Sequence, residues 1–205
     1  MLFESNHRVI SAVAPELIDP VTEACMAVAD WSNGKYDRFE KVLASGKLVE
    51  YPFPIAKPNK EYTPEQSAIL KASRPLLDWI MSLPQYKGYK WIRGEVATLV
   101  PGVTLGWHKD PCWFHDNCVR LHVPIHTNKD CVQLWENEEY HMDLGNLYEL
   151  NNRVTHSATN KGSTPRTHLI LDIMPEKKWV HARMVDKINP IALVDEPGKD
   201  YYTKP

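Results

Sequence analysis

The chain has 205 residues, 43% of them hydrophobic, with Lys+Arg 24 against Asp+Glu 26 and a net charge of −2. At ~100–200 residues per domain this is enough apolar material for one buried core, and the charge balance supplies no surface for a polyanion, so nucleic acid is not an expected partner. The four cysteines, Cys25, Cys112, Cys118 and Cys131, form no CxxC pair and read as free thiols of a reducing compartment rather than as a disulfide framework. The opening residues Met1 to Arg8 are polar and acidic where a signal peptide is apolar, and no later run approaches ~18 apolar residues. The expectation is a cytoplasmic protein without a membrane span, of undetermined oligomeric state.

The first 85 residues read as helical. Asp19-Pro20 pairs an N-cap with a first-turn proline, followed by Val21, Ala24, Cys25, Val28 and Ala29 on one face. A second short helix is expected from Tyr36 to Ser45, closed by Gly46. Thr63-Pro64 repeats the cap-and-proline pattern, with Gln66 at the capping-box position, and leads into Ile69, Leu70, Leu76, Leu77, Ile80 and Met81; Pro75 falls inside that run, a position at which a helix can either kink or continue.

From Trp91 onward short runs rich in Val, Ile, Thr, Leu and Trp alternate with turn clusters, giving strands over 91–100, 104–108, 118–127, 131–135, 139–143, 146–150, 154–157 and 166–174. Strands after helices, without βαβ alternation, predict a mainly β fold of two antiparallel sheets closed as a jelly roll. The expected organisation is a single domain over 1–205, with a helical extension over 1–85, a β core over 86–175 and a charged, proline-punctuated tail over 176–205.

The chemistry concentrates in two stretches. In Gly106-Trp107-His108-Lys109-Asp110, residues two apart on an extended backbone point the same way ~6.6 Å apart, so an imidazole and a carboxylate can converge on one metal. Alone, His-x-Asp is equally a charged pair at a surface strand end. The second stretch, Asn152 to Ala158, contains His156, and after a polar connection Arg166 opens the next strand ten residues later. Two histidines and one carboxylate leave three positions open on an octahedral ion, as in non-haem Fe(II) oxygenases, whereas structural zinc takes a fourth protein ligand.

Arg166 shares one strand face with His168, Ile170 and Asp172, while Thr167, Leu169, Leu171 and Ile173 form the other. A guanidinium entering a barrel beside a metal suits a carboxylate ligand held in bidentate geometry; at an exposed strand end it would do nothing specific. In Cys118 to His126, Val119, Leu121, Val123 and Ile125 alternate with Arg120 and His122, whose polar face is either solvent or the barrel lumen. Trp107 and Trp113 flank the metal stretch, where they either pack as ordinary aromatic residues or line a substrate mouth.

Taken together, His108, the Arg120-x-His122 strand, the Trp135 region, His156, Arg166 and the closing Asp172-Ile-Met-Pro175 resemble the aspartyl/asparaginyl β-hydroxylase family of Fe(II)/2-oxoglutarate oxygenases over about residues 91–175. The resemblance implies a double-stranded β-helix, a cupin-like jelly roll, with iron on His108 and His156. It also implies 2-oxoglutarate as co-substrate and O2 as oxidant, Arg166 gripping the distal carboxylate, and Arg120 with His122 near the other end. The animal members that give the family its title lack the iron-binding carboxylate, whereas Asp110 stands here in the usual His-x-Asp position, so the chain looks more like bacterial relatives, some acting on free amino acids such as proline. The implied activity is hydroxylation of an unactivated C–H bond of an amino acid or a peptide or protein side chain, with succinate and carbon dioxide as co-products. Two other readings use the same residues: a cupin-type isomerase or dioxygenase without 2-oxoglutarate, and a metal-binding module without catalysis.

Overall fold

The computed structural model describes residues 5–27, 47–51, 64–110 and 118–178. In chain order these form β1 (His7–Ala12), α1 (Pro15–Met26), β2 (Lys47–Tyr51), α2 (Pro64–Ser82), a 3-10 turn (Pro84–Tyr86), β3 (Tyr89–Leu99), β4 (Val119–His126), β5 (Cys131–Trp135), β6 (Glu138–Tyr140), β7 (Asn146–Leu150), β8 (His156–Asn160) and β9 (Arg166–Pro175). Two antiparallel sheets result, a six-stranded sheet ordered β1-β7-β4-β9-β3-β2 and a three-stranded sheet ordered β6-β5-β8. This is the expected jelly roll.

In the large sheet the strands β4, β7 and β9 are buried on both faces. Its outer face carries Val96, Leu121, Val123, Ile125, Leu147, Leu169, Leu171 and Ile173, which share one core with Ile18, Val21 and Cys25 of α1 and Ile69, Leu76, Leu77 and Ile80 of α2. The helices therefore back the sheet and drive the alternate residues of β4 and β9 toward the inside of the cup. Register fixes which residues meet there: Arg120 lies opposite Asp172, His122 opposite Ile170 and Pro124 opposite His168. β7 pairs with β4 through Arg120 to His122, so Pro124 falls beyond that pairing and beside an irregularity, where a strand tolerates a missing N–H. On the inner side Trp135, Met142, Tyr148 and Leu150 form a second, smaller apolar cluster.

Several elements differ from the sequence expectation. The N-terminal region is not uniformly helical: His7–Ala12 pairs with β7 and Lys47–Tyr51 with β3, both at sheet edges. Edge strands take their hydrogen bonds from distant partners, which local periodicity does not report. Helix α1 begins at Pro15 rather than at Asp19-Pro20, with Pro20 inside it. Burial of Ile18, Val21 and Cys25 outweighs the one hydrogen bond that Pro20 cannot donate. Helix α2 runs as one element through Pro75. The expected strand over 104–108 is reduced to two isolated bridges, Thr104 with Thr159 and His108 with His156. The expected helix over 36–45, Cys112, Trp113 and most of the tail lie outside the described residues. Cys25, Cys118 and Cys131 are buried thiols. No helix among the described residues is long and apolar enough to cross a membrane.

Candidate metal centre

After β3 the chain runs antiparallel to β8, held by Gly102 N–H to Asn160 O at 2.7 Å and Leu105 N–H to Ala158 O at 2.9 Å. The pairing ends with His108 and His156 exchanging both backbone hydrogen bonds, at 3.0 and 2.9 Å. Residues paired this way project side chains to the same face, which brings two imidazoles from distant stretches together, their ring centroids 4.4 Å apart. Two residues on, Asp110 N–H donates to Asn152 O at 3.3 Å, and Asp110 Oδ1 stands 3.9 Å from His108 Nε2. One donor atom from each of His108, Asp110 and His156 lies within 4.8 Å of the others.

The histidines are presented for coordination. His108 Nδ1 donates to Gly106 O at 2.7 Å and His156 Nδ1 donates to Val154 O at 2.9 Å, which fixes the proton on Nδ1 and leaves both Nε2 lone pairs free. Backbone carbonyls commonly orient metal-binding histidines this way. Burial pushes the His156 pKa below its usual value, so the ring stays in the neutral form that a metal requires. His108 is the exposed member and His156 the buried one, so the site opens outward at His108. Two nitrogens, one carboxylate and an open side fit a divalent transition metal with exchangeable positions.

The inner face of β4 and β9 forms the floor beside this site. Arg166, at the start of β9, is 7% exposed, and among the described residues no carboxylate forms an ion pair with it. Burial lowers its pKa to about 10 against a small opposing pull from the Cys131 thiol. His122 and His168 lie within the same floor, Nδ1 to Nδ1 at 3.2 Å, so one ring donates to the other and both are neutral. Burial pushes both pKa values well down, and Arg166 is the next largest cause for each. A buried cation beside two neutral imidazoles is an arrangement that an anion can neutralise.

Arg120 is engaged with carboxylates of the chain itself. It makes two parallel hydrogen bonds to Asp172, each 2.8 Å, and one to Asp110 Oδ2. Trp107 is 55% exposed beside His108, while Trp113 falls within 111–117, outside the described residues. Sequence reasoning assigned no role to His168 or Asp172; the signal was present in their even spacing, two and six residues from Arg166 along β9.

Two histidines and one aspartate at the mouth of a double-stranded β-helix are the donor set of mononuclear non-haem oxygenase sites. Residues 56–175 match the Aspartyl/Asparaginyl beta-hydroxylase family, and the chain belongs to that family. Among curated proteins, L-proline cis-4-hydroxylase of Rhizobium meliloti (strain 1021) is 35% identical over 78 residues, 38% of this chain and 26% of the relative; the match thus spans about a quarter of that enzyme. Among solved structures, the nickel complex of the non-heme monooxygenase ThoJ aligns with a TM-score of 0.51 at 13% identity, over 83% of this chain and 74% of that one. Its metal-free form aligns at 0.52 and 12%, with the same coverage. At such identity the likeness is one of fold.

Proposed function

We propose that the protein is an Fe(II)/2-oxoglutarate-dependent hydroxylase of an amino acid or of a peptide or protein side chain. His108, Asp110 and His156 would hold the iron, which supplies oxygen activation when bound. The overall reaction converts a C–H bond, O2 and 2-oxoglutarate into an alcohol, succinate and carbon dioxide. The observation that carries this reading is Arg166, a buried cation without a carboxylate partner among the described residues, set on the same cup floor as a three-donor metal site. A dicarboxylate that binds the metal at one end supplies the missing negative charge at the other. In the His122–His168 pair the ring that accepts at Nδ1 carries its proton on Nε2, and it would donate that proton to the carboxylate while both rings stay uncharged.

The protein's own contribution is positioning. Arg166 fixes one end of the co-substrate, and the apolar cluster of Trp135, Met142, Tyr148 and Leu150 keeps water from the inside of the cup. Trp107, exposed beside His108, would border the substrate entrance. The likeness to L-proline cis-4-hydroxylase supports a small, cyclic amino acid as the first substrate to try.

Anaerobic addition of Fe(II) and then 2-oxoglutarate should give a visible charge-transfer band, and admitting oxygen in the presence of single amino acids or peptides should release succinate. Absence of both the band and the succinate would overturn the proposal. An isomerase or dioxygenase that does not use 2-oxoglutarate would instead keep its activity when Arg166 is replaced.

A further inference from the structure

The two oxygens of Asp110 face different partners. Oδ1 looks toward the histidines, 3.9 Å from His108 Nε2, whereas Oδ2 is taken by a terminal nitrogen of Arg120. Arg120 is itself held from behind: its Nε and other terminal nitrogen bond the two oxygens of Asp172 at 2.8 Å each. Asp172 is 1% exposed and directly opposite Arg120 in the β4–β9 register, so the pair is set by the sheet and not by a loop. A guanidinium has five N–H donors in a rigid fork, and three of its directions are used here to link two carboxylates.

We infer that Asp172 is a positioning residue of the metal centre, pinning Arg120 so that Asp110 can offer a metal one oxygen and not two. The inference rests on the metal reading proposed above. Its consequence is a matter of counting. Two histidines and a one-oxygen carboxylate leave three positions of an octahedral ion, which a chelating keto acid and dioxygen together require. A carboxylate free to turn could take a fourth position and leave one too few. Asp172 also balances the charge of Arg120, so Asp110 keeps its own negative charge for the metal. Outer partners of metal ligands typically change affinity 10- to 100-fold when removed.

The test uses the whole protein and Co(II) alone, read by titration and by its ligand-field absorption, without co-substrate or turnover. Asp172→Asn should weaken Co(II) binding roughly 10- to 100-fold and alter the band shape. Because that variant could lose stability by leaving Arg120 poorly paired, the double variant Arg120→Met with Asp172→Val replaces the pair by apolar residues of nearly the same total volume; it should fold, release Oδ2 and again alter the band. Ile173→Val, on the same strand but facing the helices, should lower stability slightly and leave the Co(II) spectrum unchanged. Wild-type affinity and spectrum in both Asp172 variants would overturn the inference while leaving the metal centre standing. Failure of the wild-type protein to bind Co(II) would overturn the metal reading and the inference with it.

Discussion

Replacing Arg166 by Met separates the function of this residue from any structural role. Burial takes its pKa down from the usual guanidinium value to about 10. At about 1.4 kcal/mol per pH unit, this amounts to a cost on the order of 3 kcal/mol for holding the charge in the ligand-free protein. Below pH ~10 folded and unfolded chains both carry that charge, so the cost is constant through the neutral range and contributes no pH dependence there. Met fills similar space without charge, and exchanging a buried ionic group for a well-packed apolar one is often neutral or stabilising by ~1–4 kcal/mol. The metal-free variant is therefore expected to unfold at equal or higher urea concentration than wild type. The opposite is expected for 2-oxoglutarate. Losing one side of a buried, hydrogen-bonded charge pair costs about 2–5 kcal/mol, a roughly 30-fold to several-thousand-fold loss of affinity. Urea unfolding of the metal-free protein and calorimetric titration of 2-oxoglutarate into anaerobic Fe(II)-loaded protein measure the two effects. A variant destabilised by more than ~1 kcal/mol, or one that binds 2-oxoglutarate as wild type does, would refute the reasoning.

Single replacement of His108, Asp110 or His156 by Ala should reduce Ni(II) affinity more than about 100-fold with an unchanged far-ultraviolet spectrum, since losing a ligand exceeds the loss of an outer partner; calorimetry decides, and retained binding in His156→Ala would discount the site. His122, His156 and His168 all have folded-state pKa values below 6.5, lowered first by burial. As pH falls through 6.5 the unfolded chain gains protons that the folded one does not, so stability falls by up to about 1.4 kcal/mol per pH unit for each ring. Urea titrations of metal-free protein at pH 7.5, 6.5 and 5.5 should show this loss, and a flat profile would contradict it. Trp107→Ala, at a residue 55% exposed, should change stability by less than ~1 kcal/mol while raising the substrate KM; an unchanged KM removes it from the entrance.

Alternation was the strongest signal in the chain. Two-residue spacing sets Val119, Leu121 and Val123 against Arg120 and His122, and Leu169, Leu171 and Ile173 against Arg166, His168 and Asp172, which already divides β4 and β9 into a core face and a functional face. The structure adds that both faces are buried, one under α1 and α2 and the other inside the cup. Segments without such alternation were poorly legible. β1 and β2 are strands because β7 and β3 offer them free edges, and 104–108 keeps only bridges beside β8. Local propensity carries little information about edges of this kind.

The sequence by itself determined the chemistry available: two histidines, one aspartate two residues from the first of them, and an arginine ten residues beyond the second. It also determined the antiparallel jelly roll, because strand-period patterning depends on neighbours within a few residues. Tertiary structure alone decided what Arg120 does. Alternation put it on the polar face of its strand, read as lumen, and the β4–β9 register set it against Asp172 with its other terminal nitrogen on Asp110. The physical reason is that a side chain's partner is fixed by strand register and by the chain's return across the cup, both of which are summed over contacts between residues far apart in sequence.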